Sequence, residues 1–200
     1  YSEDDILATE RGDDPYNHSY LNWANEVYKP TYITQHTLNL TGGSEVGRYL
    51  VSFDYLDQPG LVKNTEYQRY SYRVNTDLNI GKMLKVSSDV TYRHVDRLWP
   101  ESLGSVQYDV WSMQPTSPVR YENGDYRLDK QNRNAISLMD LDVVGEDRYN
   151  MDVVYGQVKA DFEPIKDLVF TGMASLNGSW DRRKIHYKNY KYYNEAGELV

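Results

Sequence analysis

Polar and apolar residues alternate from Gln68 to Ile80. Tyr70, Tyr72, Val74, Leu78 and Ile80 share one face, and Arg69, Ser71, Arg73, Asn75, Asp77 and Asn79 share the other. A period of two is the mark of a strand with unlike faces. The same rhythm recurs at about 34–41, 48–56, 84–95, 151–162 and 168–180, which with a strand at 67–80 makes six predicted strands. Leu38 and Leu40 carry it in the first. Tyr49, Val51, Phe53 and Tyr55 carry it in the second, against Arg48, Ser52 and Asp54. Leu84, Val86, Val90 and Tyr92 carry it in the fourth, and Val154, Val158, Ala160 and Phe162 in the fifth.

The links alternate in length. Gly42-Gly43-Ser44-Glu45, Gly81-Lys82 and Glu163-Pro164-Ile165-Lys166 are short turns after strands one, three and five. Longer connections follow strands two, four and six. Up-and-down strands that cross a membrane put short turns on one side and long loops on the other. Greek-key links of a sandwich have no reason to alternate in this way. Strands of about 9–14 residues also exceed the usual length in soluble sheets and match a tilted membrane crossing. The predicted class is all-β, antiparallel and up-and-down, part of an outer-membrane β-barrel with long extracellular loops. The competing expectation is a secreted, soluble β-sandwich that binds carbohydrate through exposed Tyr and Trp.

Outside the strands, residues 1–33 read as a loop in which Ser2-Glu3-Asp4-Asp5 caps a short helix through Ala8. Residues 96–150 show no sustained period and are broken by Pro100, Pro115, Pro118 and Gly124, so one long loop is expected there. Residues 181–200 read as the start of another loop, with a small hairpin tip at Tyr192–Leu199.

Composition narrows the classes. The net charge of -8 argues against a nucleic-acid partner. Tyr is abundant, at 20 residues against 3 Phe, and suits interfaces that are apolar on one side and wet on the other. No cysteine is present, which excludes a disulfide framework, a thiolate metal site and a Cys nucleophile. A mean hydropathy of -0.76 leaves no apolar run long enough for a transmembrane helix, whereas a barrel needs only every second residue apolar. The first residues carry no signal-peptide pattern and no initiating Met, and read as a piece of something longer.

From Gln35 to Trp99 the motifs resemble the barrel of SusC/RagA-type TonB-dependent outer-membrane transporters. His36, Leu38, Gly42 and Gly43 match a His-x-Leu-x-x-x-Gly-Gly strand. Arg48, Tyr49, Tyr55, Leu56, Gln58 and Gly60 match a strand ending in Tyr-Leu-x-Gln-x-Gly. Arg69, Tyr70, Ser71, Arg73, Asn75 and Asp77 match Arg-Tyr-Ser-x-Arg-x-Asn-x-Asp. Residues 1–23, 115–126 and 163–168 resemble the family's segment after the plug, a loop and a turn. The resemblance implies a 22-stranded barrel in the outer membrane of a Gram-negative bacterium, plugged by an N-terminal domain. It implies import of glycans or peptides, energised by TonB, under a SusD-like surface lipoprotein that acts as a lid. TonB contact would use N-terminal regions not present here, and six strands alone are expected to be inert.

Candidate residues follow from this frame. Arg69, Arg73, Asn75 and Asp77, with Lys85, Asp89 and Arg93 on the neighbouring strand, are expected to line a hydrated lumen; plain solvent exposure is the simpler alternative. Tyr49, Tyr55, Tyr70, Tyr72 and Tyr92 are expected to form a girdle against outer-membrane lipid, rather than a soluble core. Trp99, Tyr108, Trp111 and Tyr121 fall in the long loop and are expected to face an oligosaccharide or peptide ligand or the lipoprotein. His18, His36, His94 and His186 form no zinc pattern. Asp140, Asp142, Glu146 and Asp147 lack the glycine spacing of a calcium loop and read as a solvated acidic loop. No nucleophile elbow or phosphate loop occurs. No enzyme activity, cofactor or metal is expected.

Overall fold

The structure is a computed structural model that describes every residue except Tyr1, Asp13, Glu195 and Gly197. The expected turn around Asp13 and the tip at Glu195 and Gly197 therefore lie outside the described residues. Six strands form one antiparallel sheet in chain order: β1 (Thr34–Gly43), β2 (Gly47–Asp57), β3 (Glu66–Ile80), β4 (Leu84–Pro100), β5 (Gly145–Ile165) and β6 (Leu168–Tyr187). Every neighbouring pair is hydrogen-bonded in sequence order, so the sheet is an up-and-down meander. No second sheet lies against it among the described residues, so nothing here builds the expected alternative of a sandwich.

The apolar face has no cover. Leu38 is 69% exposed, Leu40 58% and Leu176 67%. Cross-strand rows keep that face consistent: Leu38, Phe53, Tyr72, Tyr92 and Val154 lie side by side, and below them Leu40, Val51, Val74, Val90 and Leu176. At the short-turn end the row Ile80, Leu84, Phe162 and Phe170 closes the band. Thr76 and Ser88 are polar members of this face, and their hydroxyls bond each other at 2.7 Å. Tyr49 lays its ring across Gly42, where any Cβ would meet its hydroxyl at 2.5 Å.

The upper strands run further than the alternation predicts. β4 continues past Val95 to Pro100, β5 starts at Gly145 rather than Met151, and β6 ends at Tyr187 rather than Trp180. The reason is chemical. Above Tyr92 and Val154 the outer positions become His94, Asp96, Asp152, Asn150, Arg148, Arg182 and Lys184. Polar residues enter the outer face there while Val95, Trp99, Tyr149 and Met151 stand on the inner one, so the period-two signal fades while the hydrogen-bond ladder continues. Gly145 enters β5 at φ 88°, and a Cβ there would overlap the carbonyl oxygen of His186.

The connection 101–144 is folded, not structureless. It holds α3 (Leu103–Ser112), a 3-10 turn (Ser137–Met139) and α4 (Leu141–Val144). It packs on the N-terminal segment, which contributes α1 (Glu3–Arg11) and α2 (Trp23–Val27). Ser2 and Asp5 close a capping box at the start of α1, as the sequence predicts, and the helix runs three residues beyond Ala8 to Arg11. The main hydrophobic core sits here: Trp23, Val27, Val62, Val106, Val110, Met113, Ala135 and Met139. Tyr126, Val143 and Val144 form a second cluster beside it. Thus the buried apolar mass of the chain lies in a cap at the long-loop end, while the sheet presents two open faces.

Candidate functional site

The polar face of the sheet collects the predicted lumen residues. Arg69, Arg73, Asn75 and Asp77 on β3 share it with Lys85, Asp89 and Arg93 on β4. Arg73 Nη2 meets Asp89 Oδ2 at 2.5 Å, and its Nε donates to Asn75 Oδ1 at 3.1 Å. Ser87 donates to Asp77 at 2.6 Å. Arg69 donates to Asp54 on β2 at 2.9 Å, and Asp54 also accepts from Gln35 and Thr37 on β1. Lys85 stands beside Asp161, and Arg93 lies between Ser71 and Val153. Arg69 and Arg73 are thus tied down laterally by acids on adjacent strands. This spacing builds a wall of fixed, hydrated charge, with a groove of about 340 Å³ between Arg48, Asn75, Asp89 and Lys159.

Near the top of the same face, Arg183 forms a two-pronged bond to Asp147 at 2.9 and 2.7 Å. Arg97 lies 3.7 Å over the Trp99 ring and 5.0 Å from the Tyr149 ring. Trp99 therefore belongs to β4, opposite Asp147, and not to the long loop where the sequence placed it. It lines a cleft of about 440 Å³ with Tyr28, Val62, Tyr67, Leu103 and Gln107. Tyr67 and Gln107 carried no signal of this role, because their partners come from segments forty residues apart.

On the apolar face the tyrosines form two levels. His36, Tyr55, Tyr70 and His94 make one row, with Tyr55 and Tyr70 ring centroids 5.0 Å apart. Phe53, Tyr72 and Tyr92 make the row below. Asp152 ends the upper row, accepting from the Tyr92 hydroxyl at 2.6 Å and bonded to His94 Nδ1 at 2.8 Å. Tyr49 lies apart from these four, three rows below Tyr55 beside Gly42. Ten residue steps separate Phe162 from Asp152 along β5. At ~3.4 Å per residue and a tilt of ~40°, those steps span about 26 Å, close to the ~25 Å apolar band of a membrane barrel.

In the cap, Tyr108 and Trp111 share the outer face of α3 and are 71% and 77% exposed. Val106, Val110 and Met113 face inward at helical spacing. Tyr121 sits in a separate turn beneath Arg127. The four predicted loop aromatics are therefore not gathered into one site. Trp23 anchors the cap, its indole donating to the Gln114 carbonyl at 3.0 Å. Arg133 bridges Asp129 and the Ser112 carbonyl. Burial opposes the charge of Asp129, but the Arg133 guanidinium together with the backbone N–H groups of Arg133 and Gln131 outweighs it and holds that carboxyl below its ordinary value. Burial raises Asp109 above its ordinary value. Burial, then the bond to Asp140, pushes the Tyr126 hydroxyl well above its usual range. The four acids expected in a solvated loop have separate partners, and Glu146 and Asp147 lie in β5: Tyr126 pairs with Asp140, Lys188 with Asp142, Arg148 with Glu146 and Arg183 with Asp147.

No protein-family profile matches the chain. Two curated relatives come from Formosa agariphila. TonB-dependent receptor P26 is 30% identical over 114 residues, covering 56% of this chain and 11% of the relative. TonB-dependent receptor P3 is 34% identical over 68 residues, covering 34% of this chain and 7% of the relative. In fold, the chain is similar to the RagAB peptide importer in its closed-closed state, with a TM-score of 0.71 at 21% identity, covering 90% of this chain and 21% of that one. It is also similar to the RagAB peptide transporter, with a TM-score of 0.68 at 21% identity over 90% of this chain and 23% of that one. The chain thus spans about a tenth of the curated relatives and about a fifth of the solved chains.

Proposed function

We propose that this chain, whose resemblance to SusC/RagA-type TonB-dependent transporters extends to its relatives in sequence and its neighbours in fold, is barrel wall and loop cap of an outer-membrane nutrient importer. The observation that carries this is the register of the sheet. One face is apolar over about 26 Å and uncovered, and the opposite face at the same height is a network of fixed charges. Water suits only the second face, and hydrocarbon suits only the first.

In this reading the chain contributes no energy coupling and no chemistry. Arg69, Arg73, Asn75, Asp77, Lys85, Asp89 and Arg93 form a hydrated wall, against which a plug from elsewhere in the protein is braced. Tyr55, Tyr70, Tyr72 and Tyr92 sit at the outer membrane boundary, and Tyr49 lies near the inner one. Tyr108 and Trp111 are free to meet a SusD-like lipoprotein above the barrel, and Trp99 faces the path of a glycan or peptide ligand. The full barrel is expected to have 22 strands, with TonB engaged through regions outside these residues.

The test is the size and place of the native polypeptide. An antibody against the segment around Trp111 is used on fractionated source cells. The expected band is several times heavier than 23.4 kDa, in the outer membrane, with a lipoprotein recovered alongside it. A soluble band near 23.4 kDa overturns the proposal.

A further inference from the structure

Above the apolar band the outward face of the sheet is divided by charge. Over β2, β3 and β4 it carries Asp57, Glu66 and Asp96. Over β5 and β6 it carries Arg148, Arg182, Lys184 and His186. Arg148 lies directly opposite Lys184, and Arg182 follows Trp180 by one outward step. This concentration of base stands out in a chain of net charge -8. Two acids border it. Glu146 lies 3.7 Å from Arg148, and Asp152, bonded to Tyr92 and His94, also lies within the field of Arg182. Arg182 and Lys184 are exposed, and a further strand on the free edge of β6 would pair in the plane of the sheet, leaving this face outward.

The height of the patch matters as much as its sign. Trp180 folds its ring back over Gly178, within the apolar rows, and marks the edge of the band. Each outward step of two residues climbs about 5 Å along a tilted strand. Arg182 and Lys184 therefore stand about 5 and 10 Å above the hydrocarbon edge. The polar headgroup layer occupies roughly the first 5–8 Å there, so Arg182 stands within it, and Lys184 and Arg148 stand at its outer edge with long side chains that can reach down into it. An anionic headgroup is the one large ligand that both geometry and charge place at this level.

We propose that Arg148, Arg182 and Lys184, with His186 above them, dock the phosphate groups of an anionic glycolipid of the outer leaflet. The proposal rests on the membrane orientation argued above. The acidic outward face over β2–β4 would repel the same headgroup, so the lipid is held on one side of the barrel only.

The test uses the full-length protein carrying this segment, in nanodiscs of phosphatidylcholine with or without added lipid A. Native mass spectrometry counts lipid A bound per barrel, and heat-modifiable electrophoretic mobility verifies that each variant is folded. Bound lipid A is expected for the native protein. Arg182→Gln with Lys184→Gln is expected to weaken it about 30-fold, roughly 5-fold for each charge at about 1 kcal/mol apiece. Arg182→Lys with Lys184→Arg is expected to keep it. Equal lipid A on the native and the glutamine proteins overturns the site while leaving the barrel reading intact. Inorganic phosphate binding as strongly in plain phosphatidylcholine discs also overturns the lipid assignment. A native protein that does not enter the discs overturns the barrel reading, and this inference with it.

Discussion

Thr76 on β3 and Ser88 on β4 face each other across the apolar side of the sheet and share a 2.7 Å hydrogen bond. They are a polar pair in a band otherwise made of aliphatic and aromatic residues and glycine. In hydrocarbon an unpaired hydroxyl is costly, so these two satisfy each other. In water each would bond solvent, and the pair would be worth almost nothing.

A double-mutant cycle separates those cases. Ser88→Ala, Thr76→Val and the double variant of the full-length barrel, folded into vesicles and unfolded with denaturant, are expected to show a coupling of about 0.6–1 kcal/mol. A coupling indistinguishable from zero would mean that this face is wet.

Neighbouring positions on β3 give a sharper contrast. Val74 lies in the middle rows of the apolar face, and Arg73 lies on the polar face, paired with Asp89. Val74→Arg is expected to cost about 2–4 kcal/mol of barrel stability. Arg73→Gln removes an ion pair in a wet setting and is expected to cost less than about 1 kcal/mol. The check is the folded fraction in vesicles for each variant. Equal costs would contradict the assigned faces.

The readability of this fold in its sequence follows the solvent on each side. Where one face is apolar and the other polar, at Tyr70–Ile80 or Leu84–Tyr92, alternation is strong and the strands are legible. Where each face mixes charged and apolar residues, at Arg93–Pro100 and Gly145–Asn150, the ladder continues with no clear alternation, and Trp99 is misplaced into a loop. Proline at 100, 115 and 118 also masked a usable cue, since Val106 and Val110 of α3 and Met113 at its C-cap repeat at helical spacing. The cap core joins Trp23, Val62 and Met139, whose contact no local pattern encodes. The polar side of β3 and β4 was legible as a face, while its actual partners, such as Asp54 with Arg69, depend on register between strands.

Alkaline pH probes the cap through Tyr126. Its hydroxyl donates to Asp140 at 2.7 Å and is kept neutral first by burial and then by that carboxylate. The folded pKa lies above the unfolded value of about 10. The stability from this group is therefore full below about pH 10 and is lost as pH rises beyond it. Protease cleavage within 101–144 is expected to increase above about pH 10 while the barrel remains heat-modifiable. Tyr126→Phe removes a bond to a charged acceptor, costs about 1.5–3 kcal/mol, and is expected to abolish the tyrosine-specific part of that increase. A cleavage profile identical in both proteins would assign the alkaline transition to other groups.

The cap should also yield independently of the wall beneath it, because its core shares few buried side chains with the sheet. Trp23 is 3% exposed, packs on Val27, Val106 and Met113, and ties the N-terminal segment to residue 114 by its indole. Trp23→Ala leaves a large cavity and an unpaired carbonyl, at a cost of about 3–5 kcal/mol. That exceeds what a small folded loop cluster holds in reserve, so the connection 101–144 should open. Tyr108→Ala with Trp111→Ala removes only exposed surface and should leave the cap closed. Limited proteolysis of the full-length protein in membranes distinguishes them. Rapid cleavage between 101 and 144 is expected for the Trp23 variant alone, with the barrel still heat-modifiable. Cleavage that is equally slow in both would mean the cap is held by the strands below rather than by its own core.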